Sequence, residues 1–163
     1  MHTQYLSRLM LVASMNPCPC GYFGSKTRHC RCGSHDIKRY LDRISGPLLD
    51  RIDLQVEVDV VPVEDIVQEG EQESSDAVRQ RVRAARAIQQ KRFERTGIRT
   101  NAQMNGKNLE DQALLTKEAR SLLQNAVKKY NLSMRAYTRL IKVARTIADL
   151  QGEEKVGLPA MAE

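Results

Sequence analysis

The chain has 163 residues, 41% hydrophobic and 28% charged, with no Trp, two Phe, five Tyr and a formal charge of +6. That composition excludes a disordered tract and a bilayer-spanning chain, and it requires an aliphatic core of Leu, Ile, Val and Ala. No signal-peptide pattern is evident, so a cytoplasmic location without membrane contact is expected.

Residues 8–15 form a continuous apolar run, which suits a strand buried on both faces of a parallel sheet. Asn16-Pro17 ends it, because the proline forces an extended geometry on the residue before it. A loop with four cysteines and three glycines follows. Ser34 or Asp36 is placed to cap a short helix through Ile37, Tyr40, Leu41 and Ile44, which Ser45-Gly46-Pro47 breaks. Over residues 53–60, Leu54, Val56, Val58 and Val60 alternate with polar residues, a pattern that predicts a second strand. Two strands do not make a stable sheet, so these are expected to pair with another chain or with a part preceding residue 1.

From residue 74 the pattern becomes helical. Ser74-Ser75-Asp76 predicts a helix start, Gly97 its end, and two further helices are expected near 116–130 and 133–150. Residues 97–108 read as a polar loop. The expected fold class is therefore an α/β remnant with about two strands and one or two helices over residues 1–62, a linker over 63–73, and an all-α domain over 74–163. Residues 1–72 carry 8 basic and 10 acidic side chains, whereas residues 73–163 carry 18 and 10. The positive excess of the second half suits solvated helix faces or contact with phosphates about equally well. Arg79, Arg83 and Arg86 on the first long helix are the candidate nucleic-acid contacts.

All four cysteines fall in Cys18-Pro-Cys20 and Cys30-Arg-Cys32. Four thiolates can supply a tetrahedral Zn²⁺ site, and so dense a cluster in a Gly-containing loop has little packing purpose. His29 and His35 are close enough in sequence to replace one cysteine. Reduced thiols without metal are the plainer alternative. Such a zinc would stiffen the insertion over 17–35, with no open position for catalysis.

Three further landmarks carry polar chemistry. Asn16 ends an apolar run, where an open α/β sheet binds its ligands. Arg51 lies in Gly46-Pro47-Leu48-Leu49-Asp50-Arg51-Ile52-Asp53, where it could form a surface ion pair or stabilise charge on a phosphoryl group. Arg135 lies in Ser133-Met134-Arg135-Ala136-Tyr137 at a helix start, which already favours anions. In order and spacing, these stretches and the continuation Thr138-Arg139-Leu140-Ile141-Lys142-Val143-Ala144-Arg145-Thr146-Ile147-Ala148-Asp149-Leu150 resemble the magnesium-chelatase-like AAA+ ATPases of the bacterial competence type. The resemblance runs from about residue 8 to the end.

The resemblance implies that Asn16 is sensor 1 and Arg51 an arginine finger offered to the next subunit. It also implies that Arg135 is a sensor 2 arginine carried on a helical lid. It further implies an ATP- and Mg²⁺-dependent ring motor, a hexamer of copies of the full-length protein, acting on DNA in branch migration during natural transformation and recombination. Metal insertion into a porphyrin is not implied. No Gly-x-x-x-x-Gly-Lys-Ser/Thr occurs in the sequence. The phosphate cradle is therefore expected upstream of residue 1, and the chain alone is expected neither to bind ATP tightly nor to hydrolyse it. Two other readings stay open: a zinc-stabilised nucleic-acid-binding module without an ATPase role, and a scaffold that caps another ATPase through Arg51.

Overall fold

A computed structural model describes residues 10–58, 61, 73–106 and 109–163. The chain divides into two compact units, residues 1–49 with 56–66, and residues 50–55 with 67–163.

The described residues are helical. The expected α/β remnant is not observed, because residues 10–15 and 53–58, the described parts of the two expected strands, form no strand. The only β-pairing among the described residues is an isolated parallel bridge between Leu115 and Val156. An apolar pattern supplies a face, but a strand also needs a hydrogen-bonded neighbour and a covering layer. Here neither forms, and Met10 and Val12 stand 89% and 84% exposed, Val56 and Val58 80% and 87%.

In the first unit, α1 spans Ser34–Leu41 and α2 spans Gly46–Leu49. The N-cap of α1 is Gly33 with no side-chain bond, in place of the expected Ser34 or Asp36. Asp36 instead pairs with Arg39 at 3.0 Å, three residues on. Gly46-Pro47, read as a helix breaker, opens α2, where a proline is tolerated because first-turn amides have no helical partner.

In the second unit, α3 spans Ser75–Phe93, α4 Leu109–Ala113, α5 Lys117–Tyr130, α6 Met134–Leu150 and α7 Leu158–Ala162. The three long helices each start on a hydroxyl side chain. Ser74, Thr116 and Ser133 accept hydrogen bonds from the amides of Ala77, Ala119 and Ala136, all at 3.2 Å. Each bond satisfies one amide that the helix itself cannot. Asn131 ends α5 in the left-handed conformation, φ 49°, and so turns the chain into Ser133 and α6.

Phe93, Met104, Leu109, Ala113, Leu123 and Ile141 form one buried cluster. Ala144, Ala148, Val156 and Ala160 form a second along α6 and α7. Burying this apolar surface is what drives the helices together. The segment 97–108, read as a polar loop, contains a 3₁₀ turn at Asn101–Gln103, and Met104 in it is fully buried.

A charged network lies inside this unit. Arg145, 0% exposed, donates to the carbonyls of Ala113 (3.3 Å), Glu154 (2.7 Å) and Glu153 (2.6 Å). Its Nε also donates to Asp149 at 3.1 Å. Asp149 accepts further bonds from Arg92 at 2.9 Å and from Asn101 at 2.8 Å. Buried charge is tolerated only when paired and hydrogen-bonded in this way. Arg145 thereby fastens the chain that follows α6 to the end of α4.

Candidate functional site

The cysteine loop is built by turns. Gly21 takes φ +82° and donates its amide to the carbonyl of Cys18 at 3.0 Å, closing a tight turn immediately after the first cysteine pair. That φ favours glycine, because other side chains clash there. A second turn is fixed by Ser25 Oγ, which accepts from the amides of Thr27 and Arg28, each at 3.3 Å. The Arg28 guanidinium stacks 4.8 Å from the centre of the Tyr22 ring. These turns return the chain so that the second cysteine pair meets the first.

The Sγ atoms of Cys18 and Cys20 lie 3.4 Å apart, those of Cys18 and Cys30 3.7 Å, and those of Cys20 and Cys30 3.6 Å. With Cys32 included, all four lie within 4.8 Å of one another. A tetrahedron with metal–sulfur bonds of about 2.3 Å has edges of roughly 3.8 Å, whereas a disulfide requires about 2.05 Å. The four cysteines are free thiols, and their spacing fits a soft tetrahedral metal site. Hydrogen bonds from the backbone of Arg31 and Tyr22 draw the Cys20 thiol down to about 6. Burial, and then the neighbouring Cys20 side chain, push Cys32 up to about 12. Crowded thiols thus favour one thiolate at the expense of another, a conflict that a shared cation relieves. His29 and His35 are exposed and outside the thiol set.

Asn16 sits in the same unit and is exposed. Its side chain lies beside the first cysteine turn, since a Cβ at Gly21 would stand 3.8 Å from Asn16 Cγ.

Arg51 and Arg135 both belong to the second unit. Arg135, in the first turn of α6, donates to the carboxylate of Asp50 at 3.3 Å. Arg139, one turn further on, donates to the carbonyls of Ile52 at 2.9 Å and Asp50 at 3.4 Å. The structure therefore brings the segment carrying Arg51 against the helix carrying Arg135. Sequence reading missed Arg139, although its four-residue spacing from Arg135 puts the two on one helix face.

Arg79, Arg83 and Arg86 are exposed on α3 and share a face by their spacing. Arg79 pairs with Asp76, and Arg86 donates to Gln89 Oε1 at 3.4 Å. The apolar residues of the same helix are buried only from Ala85 onward, at Ala85 and Phe93, while Val78 and Val82 are 38% and 45% exposed.

These features define a thiol-clustered unit followed by a helical unit in which two arginines grip one segment. The chain belongs to the magnesium chelatase family. Residues 1–66 match the family described as magnesium chelatase, subunit ChlI, and residues 72–163 its C-terminal part. Among curated relatives, it is 43% identical over 161 residues to competence protein ComM of Haemophilus influenzae, covering 98% of this chain and 30% of that protein. It is 41% identical over 149 residues to YifB of Escherichia coli, covering 90% of this chain and 28% of that protein. To YifB of Salmonella typhimurium it is 36% identical over 160 residues, covering 98% and 30%. The chain thus spans about 30% of the length of these relatives. No helix among the described residues is long and apolar enough to cross a membrane.

Proposed function

We propose that this chain supplies the sensing and coupling part of an ATP-driven AAA+ ring motor that acts on DNA in the cytoplasm, in the manner expected of a competence protein. In that reading Asn16 orients water against the terminal phosphate and Arg51 reaches the nucleotide of the next subunit. Arg135, on a helical lid formed by residues 74–163, closes over nucleotide from the first turn of α6. Mg²⁺ bound with ATP would neutralise phosphate charge. Zn²⁺ held by Cys18, Cys20, Cys30 and Cys32 would stiffen the loop beside Asn16, with every ligand position taken by protein.

The observation that carries this reading is the bond from Arg135 to Asp50, the immediate neighbour of Arg51, across 85 residues of sequence. Two arginines suited to phosphate chemistry are thereby held in one small region of a family member. The test is ATP hydrolysis by rings of the full-length polypeptide that carries this chain. Arg51→Ala should lower kcat by a factor of about 10³ or more while nucleotide still binds, as removal of an arginine finger does. Hydrolysis at the wild-type rate by that variant would sink the proposal.

The basic face of α3 favours a second reading, a zinc-stabilised nucleic-acid-binding module. It predicts that the 163-residue chain binds DNA by itself and that neutralising Arg79, Arg83 and Arg86 flattens the salt dependence, by about 0.9 in log–log slope per lost phosphate contact. DNA affinity unaffected by those changes would dismiss it.

A further inference from the structure

We infer that Arg139 is the positioning residue for Arg51, holding the backbone on both sides of that arginine so that its guanidinium is presented from a fixed base. The inference rests on the reading of Arg51 as a finger, and it assigns a role to a side chain outside the three residues proposed above.

Arg139 bonds one carbonyl before Arg51, that of Asp50, and one carbonyl after it, that of Ile52. Both bonds leave one nitrogen, Nη1, whose two hydrogens lie in fixed directions in the guanidinium plane and so bridge the two carbonyls. The carbonyls are main-chain groups, so the bonds constrain the backbone whatever the side chain of residue 51 is doing. The grip extends along one face of α6. Arg135, Arg139 and Lys142 follow the four- and three-residue spacing of a single helical stripe. Arg135 takes the Asp50 carboxylate, and Lys142 donates to the carbonyl of Ala102 at 2.8 Å; burial draws the Lys142 ammonium below its usual range, and Asp53 only partly offsets that. The segment 50–55 accordingly belongs to the helical unit, although the sequence on either side of it belongs to the other.

The exposed Arg135–Asp50 pair is of the kind that contributes little by itself, since solvent screens it. Arg139 is the firmer clamp, being only partly exposed and bonded to neutral main-chain acceptors that salt does not displace. Movement of α6 is thus transmitted to the backbone at Arg51, and the helix bearing one phosphate-directed arginine sets the placement of the other.

The experiment has two readouts. In the 163-residue chain, Arg139→Ala should speed hydrogen exchange of the amides of residues 51–54 by about tenfold, with protection in α5 and the rest of α6 unchanged. In full-length rings, Arg139→Ala should reduce kcat toward the Arg51→Ala value with KM for ATP unchanged, and the double variant should be no slower than Arg51→Ala alone. Arg139→Lys, which keeps a donor and the fold, should lie between. A wild-type kcat in Arg139→Ala rings, alongside inactive Arg51→Ala rings, would overturn this inference and leave the finger reading standing. A raised KM at constant kcat would overturn it too, by placing Arg139 in nucleotide binding. Active Arg51→Ala rings would instead remove the reading on which it rests.

Discussion

The two units are held together by different physics. Among described residues 10–58, Cys18 is the one buried hydrophobic side chain, and order rests on turns, short helices and four converging sulfurs. The helical unit has two apolar clusters and a buried, fully bonded Arg145–Asp149 pair. A segment of that size without an apolar core is stable only when something else links it, whereas a helical unit with this core sustains itself. The contrast is between a region ordered by turns and clustered thiols and a region ordered by its own apolar core.

The largest expected effect tests that condition directly. Reduced protein should retain about one zinc per chain, and chelation or replacement of the four cysteines by serine should abolish protection of residues 10–49. Structural zinc in small domains contributes about 10 kcal/mol or more to folding. The thermal transition of the helical unit should not move. Equal protection of the loop with and without metal would erase the distinction between the units.

Next in size is the buried pair. Asp149→Ala leaves Arg145 without its carboxylate inside the core and should cost about 3–5 kcal/mol in denaturant unfolding. Asp149 also makes the helical unit acid-sensitive. Burial alone would raise its carboxyl, but the bonds from Arg92 and Asn101 and the charge of Arg145 outweigh that and hold it below the usual range. Its contribution is therefore fully present above the ordinary aspartate value, and it is lost as pH falls through about 4 and below. Asp149→Asn should flatten that part of the stability profile. Parallel acid profiles for the two proteins would show that the network is not what the helical unit depends on.

The smallest effect sharpens the comparison from within. Ser133→Ala removes the cap of α6 and should cost about 1 kcal/mol, with Ser133→Asp nearly neutral. A loss several times larger would mean that the start of α6, where Arg135 sits, is as decisive for the unit as its core.

The long helices were legible because the cap at Ser74 and helical spacing are local signals. The cysteine cluster was legible for the same reason. The strands were misread because the runs at 8–15 and 53–60 show only a wish for burial, and nothing in a local pattern states whether a paired neighbour exists. The charged core was invisible for a related reason. Arg92, Asn101 and Asp149 are far apart in sequence, and an arginine inside a basic helix looks like every other solvated arginine until the fold closes. Arg139 escaped notice because its partners are carbonyls, which carry no sequence signature.

Tyr137 makes the helix that bears Arg135 and Arg139 visible in solution. It lies between them on α6, packs against the main apolar cluster, and donates its phenolic hydroxyl to Glu110. Burial first, and then the Glu110 carboxylate, push its ionisation up to about 12, so the neutral phenol is favoured, and its contribution to stability, full below the ordinary tyrosine value of about 10, is lost as pH rises from there through the raised value. Because the chain has no tryptophan and only five tyrosines, near-ultraviolet absorbance during an alkaline titration carries an optical reporter of this one helix, without any label attached.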